Sequence, residues 1–174
     1  MKRLIPFVLA MFPALAGAQS GHFDNTPIRS FDLSEYLGTW YEIARFDHSF
    51  ERGMEGVIAE YSLRDDGKVD VINSGWKNGN YKVANGKARQ PDPMENPAHL
   101  EVSFFLFFYS DYNVMMLDDM YRVALVGSRS PGYLWILSRT PQIDESTKDL
   151  ILKEAQRRGY DISGLIWVNQ ARNM

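Results

Sequence analysis

The chain has 174 residues, 45% of them apolar and 13% aromatic, with a formal charge of −3. That is one ordinary domain, too rich in core-forming residues for a disordered chain and large enough to bury about two-thirds of its unfolded surface. Its mildly acidic balance excludes nucleic acid as an expected partner, because phosphate binding leans on clustered Lys and Arg.

The chain opens with Lys2 and Arg3, followed by an apolar run over residues 4–15 and then Ala16-Gly17-Ala18. That order fits a secretory signal peptide with a small-residue cleavage site. The run is shorter than the roughly 20 apolar residues of a membrane-spanning helix. Residues 1–18 are therefore expected to be a signal peptide, and residues 19–174 a single domain. Losing Lys2 and Arg3 takes the formal charge from −3 to −5. The chain contains no cysteine, so export brings no disulfide, and the fold must stand on packing alone.

Residues 22–30 read as an extended tail. Asp32 with Glu35 three positions later resembles a helix cap, which predicts a short helical turn over residues 31–37. A first strand is expected over 40–46. Val57, Ala59, Tyr61 and Leu63 then recur with period two, Asp65-Asp66-Gly67 makes a hairpin turn, and 69–76 returns. Lys77-Asn78-Gly79-Asn80 is a second turn, followed by a strand over 81–89 with a bulge expected at Asn85-Gly86. Three prolines between Gln90 and Pro97 mark a loop. Alternation resumes over 99–105. Residues 107–111 are read as a turn, and strands are expected over 112–117, 121–128 and 133–138. Eight short strands at regular spacing point to a sandwich or barrel.

The period then changes. Asp144 can cap a helix over 145–158, with Leu150, Ile151 and Ala155 as its apolar stripe and Gly159 as its stop. Lys153, Arg157 and Arg158 suit its negative end. Residues 166–168 form a last short strand that could pair beside the first. Together these elements predict an all-β protein: an eight-stranded antiparallel up-and-down β-barrel, with one C-terminal α-helix packed outside.

Two segments suggest how such a barrel would close. Gly38-Thr39-Trp40 opens the first strand, and Trp135-Ile136-Leu137-Ser138-Arg139 ends the eighth. A Trp plugging the base with an Arg guanidinium across its ring would be a structural pair, favourable by about 0.5–2 kcal/mol.

In these residues the chain resembles the lipocalins, and among them the bacterial lipocalins akin to apolipoprotein D. Gly38 and Trp40, within Tyr36-Leu37-Gly38-Thr39-Trp40-Tyr41-Glu42, match the first family motif. Asp118-Asp119-Met120-Tyr121-Arg122 resembles the second, and Arg139 after Leu134-Trp135-Ile136-Leu137-Ser138 the third. Residues 46–53, Ser103-Phe104-Phe105 and Tyr112-Asn113-Val114 resemble the bacterial subgroup. The resemblance covers nearly all of residues 19–174. It implies a barrel that holds a fatty acid, a lysophospholipid or a similar amphiphile, with a role in membrane upkeep. Some bacterial relatives carry a lipid-modified Cys, which this chain lacks, so a soluble periplasmic protein is expected. Peripheral contact with the outer membrane and a homodimer are both left open.

Strand parity nominates the cavity residues. With Trp40 pointing inward, Ala44 and Phe46 point inward too. Ala59, Tyr61, Val71, Asn73, Val102, Phe104, Trp135 and Leu137 are the matching choices. These ten are the expected ligand contacts, and Gly38, Trp40, Asp118, Tyr121 and Arg139 the structural signature. The same residues could instead fill a solid core, since parity does not separate the two. Glu42 should point inward near the base, as a buried acceptor or as a receptor for a cationic or hydroxylated head group. Arg45, His48 and Arg52 lie near the open end, on a solvated loop or against an anionic head. Phe105, Phe107, Phe108 and Tyr109 crowd one turn, either folded back on the barrel or forming a contact surface.

An enzyme is the rival class, but Gly-x-Ser-x-Gly, His-Glu-x-x-His and Gly-rich phosphate motifs are missing. His22, His48 and His99 are scattered, so neither a nucleophile–base pair nor a metal site is expected, and no cofactor. A third reading is a periplasmic interaction protein that uses the aromatic turn and takes no ligand.

Overall fold

The computed structural model describes residues 23–105 and 107–174. The expected signal peptide lies outside the described residues. A short helix, α1 (Leu33–Tyr36), is capped by Asp32, whose carboxylate accepts from the Ser34 N–H at 2.8 Å. Eight strands come next: β1 (Gly38–Arg45), β2 (Met54–Leu63), β3 (Val69–Lys77), β4 (Asn80–Arg89), β5 (His99–Phe105), β6 (Phe108–Leu117), β7 (Val123–Gly127) and β8 (Leu134–Ser138). Then come α2 (Glu145–Arg157) and a two-residue strand, β9 (Ile166–Trp167).

Each strand pairs antiparallel with the next in sequence, and β1 closes the ring. Its first half bonds β2, with Trp40 opposite Ala59, and its second half bonds β8, with Glu42 opposite Leu137. The barrel therefore has no free edge at the seam. β9 pairs beside the end of β1, with Ala44 opposite Trp167.

Local chemistry explains the turns. Asn78 and Gly79 both hold positive φ, 51° and 76°, as a two-residue hairpin of the favoured hand requires. Three expectations change. Residues 108–111, read as a turn, belong to β6 and pair with β5, Phe105 opposite Phe108 and Glu101 opposite Asp111. Neither Gly nor Pro interrupts that segment, and aromatic residues suit a ladder. β7 starts at Val123 because Tyr121 sits at φ 54°. No bulge forms at Asn85-Gly86; the pairing with β3 runs through without a shift.

The floor of the barrel is built on Trp40, which is 0% exposed. Its indole N–H donates to the Tyr36 carbonyl at 2.8 Å. The Arg139 guanidinium lies 3.9 Å from the ring centroid and donates to the carbonyls of Glu35, Tyr36, Thr39 and Tyr121. Gly38 holds φ 95°, and a Cβ there would sit 3.4 Å from the Arg139 Nη1. The Tyr121 hydroxyl accepts from the Asp32 N–H at 2.8 Å, and the Asp118 carboxylate accepts from the Val123 N–H at 2.8 Å.

A second core lies outside the barrel, where Ile151 and Ala155 of α2 pack on Ile43, Met115, Leu125, Leu134 and Ile136. Leu150, expected in that stripe, is exposed. Arg158 anchors the helix end by donating to the Met115 carbonyl at 2.7 Å and the Thr26 carbonyl at 2.9 Å. Replacing the floor residue leaves a large void beneath its guanidinium cover. Trp40→Ala should therefore destabilise the fold by roughly 3–5 kcal/mol in denaturant unfolding, whereas an unfolding midpoint near wild type would mean that the floor is not a keystone.

Candidate ligand-binding cavity

Above the floor the barrel is hollow. A cavity of about 750 Å³ reaches the open end opposite Trp40 and Arg139. Eight of the residues nominated by parity line it: Ala59, Tyr61, Val71, Asn73, Val102, Phe104, Trp135 and Leu137. Gly86 makes room for one of them, because a Cβ there would fall 2.7 Å from the Phe104 ring.

Ala44 and Phe46 do not line it. The β1–β8 register shifts between Glu42 and Ala44, so a bulge adds one residue and reverses the facing of the rest of the strand. Ala44 lands opposite Ile136 under α2, and the Phe46 ring packs on Tyr160 at 6.2 Å. Arg45 is turned inward instead and is 1% exposed.

That reversal creates a polar cluster on one wall. Arg45 Nη1 donates to the Glu42 carboxylate at 2.6 Å, and Nη2 to the carbonyls of Glu51 and Met54 at 2.8 and 3.2 Å. His48 Nε2 lies 2.8 Å from Glu51 Oε2, which also accepts from the Trp135 indole N–H at 3.1 Å. The His48 ring packs against Phe50, Tyr133 and Trp135. Burial, reinforced by the neighbouring Glu51 carboxyl, pushes Glu42 up to about 8 against the pull of Arg45. Arg45 and His48 are thus neither solvated nor lining the cavity, while Arg52 is exposed and bonds Asp47 at 2.7 Å. Glu51, missed in the sequence, lines the cavity because it and His48 turn inward from the loop after β1.

Lower down, the Tyr112 hydroxyl meets those of Tyr36 and Tyr61 at 2.7 and 3.0 Å. Burial pushes Tyr61 up to about 12 and raises Tyr36 and Tyr112 well above the usual tyrosine value, so all three stay neutral. Asn73 Oδ1 is buried without a hydrogen-bond partner. Phe105 and Phe108 stand at the mouth and, with Phe107, are exposed rather than folded back. Tyr109 lies under Arg89, 4.2 Å from its ring.

On β5 and β6, His99, Glu101 and Asp111 offer ligand atoms within 4.8 Å of one another, Asp111 from the cavity lining. Asn113, Arg89 and Arg129 already bond them at 2.7, 2.6 and 2.9 Å, so the geometry favours protein partners over a metal.

Residues 31–170 match the family model for a lipocalin-like domain. The chain belongs to the lipocalin family. It is 52% identical over 147 residues to the outer membrane lipoprotein Blc of Escherichia coli K12, covering 83% of this chain and 82% of that one. Against bovine apolipoprotein D it is 35% identical over 158 residues, covering 80% and 82%. The fold superposes on insecticyanin from the tobacco hornworm Manduca sexta with a TM-score of 0.70, at 24% identity and 84% coverage of each chain.

These relatives correct the expected localisation. The matched bacterial relatives are named outer membrane lipoproteins, so the reading of a soluble periplasmic protein does not stand. The chain itself has no cysteine.

Glu42 also sets a pH dependence. Its folded pKa is raised above the unfolded value, so between about 4.5 and about 8 the folded chain keeps a proton that the unfolded chain releases. Stability should fall as pH climbs through that window. Glu42→Gln should flatten the decline by at least about 1 kcal/mol in unfolding measured from pH 5 to 8; parallel curves for the two proteins would refute the assignment.

Proposed function

We propose that this chain binds and stores or carries a small single-chain lipophile in its barrel, of the fatty acid or lysophospholipid class, in upkeep of the cell envelope. One observation carries the reading: a hollow of about 750 Å³ lined mostly by apolar side chains, sealed at one end and open at the other. Such a site suits an acyl chain oriented by a few polar groups. Membership of the lipocalin family supports it.

A binding role also suits the histidines better than an enzymatic one. His48 is engaged with Glu51 and His99 with Asn113, so among the described residues neither is hydrogen-bonded to a Ser or Thr hydroxyl. The Phe105, Phe107 and Phe108 side chains at the mouth favour a further contact, with a lipid surface from which the ligand would enter. Lys87, 6.0 Å from the Phe107 ring, adds positive charge beside them.

Apolar burial should dominate affinity. Within a series of one head group, each added methylene should tighten binding by up to about 0.8 kcal/mol until the cavity is full. Calorimetric titration across chain lengths checks this. Affinity independent of chain length, or no binding at any length, would contradict it.

A further inference from the structure

The carboxyl groups of Glu42 and Glu51 face the cavity, whereas the two basic side chains bonded to them do not. Arg45 and His48 are absent from the lining and buried behind it. Arg45 directs one terminal nitrogen to Glu42 and the other to two backbone carbonyls. His48 directs Nε2 to Glu51. Arg45 Nε and His48 Nδ1 have no partner but are buried with the rest of those side chains, so the surface met by a ligand on this wall is acidic oxygen rather than cation. Around it stand aromatic lining groups, Phe50, Tyr133 and Trp135.

An anionic head placed here would meet carboxyl oxygens. A positively charged nitrogen would meet a carboxylate and aromatic faces, the combination that recognises ammonium groups. We infer that the cavity selects amphiphiles whose head group bears a cationic nitrogen over free fatty acids, with Glu42 and Glu51 as the receptor. This inference rests on the lipophile-binding reading and narrows it.

Burial and the neighbouring Glu51 carboxyl hold a proton on Glu42 up to about 8. An entering cation replaces that proton, so binding of the cation releases it. Around the pair stand Arg45 on β1, His48 in the loop after it and Tyr61 on β2, and the cavity is lined as well by Lys77 and Lys82 from the β3–β4 hairpin, Asp111 and Tyr112 on β6 and Tyr133 before β8. The titration window is therefore that of Glu42, and cation affinity should rise with pH.

The test is calorimetric titration of the full protein with dodecylamine, dodecanol and dodecanoate, which share a chain and differ in head group. Dodecylamine should bind about tenfold or more tighter than dodecanoate at neutral pH, as a charge-assisted hydrogen bond in a dry site implies, and its affinity should increase from pH 5.5 to 8. The Glu42→Gln/Glu51→Gln double variant should lose that preference while still binding dodecanol. Should it fail to fold, the wild-type head-group and pH series decide alone. Lysophosphatidylethanolamine against lysophosphatidylglycerol then separates the sources: preference for the first assigns the nitrogen to a lipid head group, and equal binding of the two alongside tight dodecylamine binding assigns it to a free amine. Dodecanoate binding as tightly as dodecylamine overturns the inference and leaves lipophile binding intact. If none of the three binds, both fall together.

Discussion

Everything above the barrel floor depends on the contact between Trp40 and Arg139. One guanidinium covers an indole face and takes four backbone carbonyls from α1, the start of β1 and the loop before β7. Those carbonyls would otherwise need water at a closed end. Because the floor is sealed by a side chain stacked on a side chain, the wall above it need not be filled to keep water from entering from below. The hollow is a consequence of where the packing is concentrated: at the floor, and outside between the barrel and α2.

The second constraint is the bulge in β1. A single extra residue between Glu42 and Ala44 gives the strand two faces in succession. Before it, Trp40 and Glu42 face the interior. After it, Ala44 and Phe46 serve the helix, and Arg45 is delivered beside Glu42. The polar cluster of the cavity and the docking of α2 are therefore two results of the same irregularity. Burying two carboxyls costs desolvation on both, and the arrangement offsets it with one guanidinium, one imidazole and the Trp135 N–H.

Much of this fold is legible in the sequence because barrels repeat two simple signals. Alternation places Ala59, Tyr61, Val71, Asn73, Val102 and Phe104 on the inner face, and Asp-Gly and Asn-Gly turns fix the register of the first hairpins. Trp40 and Arg139 stand out by their positions at strand ends. The bulge leaves no such mark. Glu42-Ile43-Ala44-Arg45 reads as continuous alternation, so parity carried past it assigns Ala44 and Phe46 to the wrong face. Burial of His48 and Glu51 is equally hidden, since nothing in a polar loop announces that Arg45 will bond its backbone, Trp135 its Glu51 carboxylate and aromatic rings its imidazole. The β5–β6 hairpin escapes a sequence reading because its aromatic residues suit a strand as well as an exposed tip. Localisation rests in the sequence on one missing residue type, and it is the relatives that correct it.

The central claim is that the barrel is a container, hollow and accessible from its open end. Native mass spectrometry of the protein, purified without detergent and then exposed to single-chain lipids, tests it most directly. The account predicts a discrete added mass of one lipid per chain, either already present on purification or acquired on exposure. A mass that stays that of the polypeptide at every lipid concentration would mean that the hollow does not take a ligand, and would move the function to the aromatic surface at its mouth.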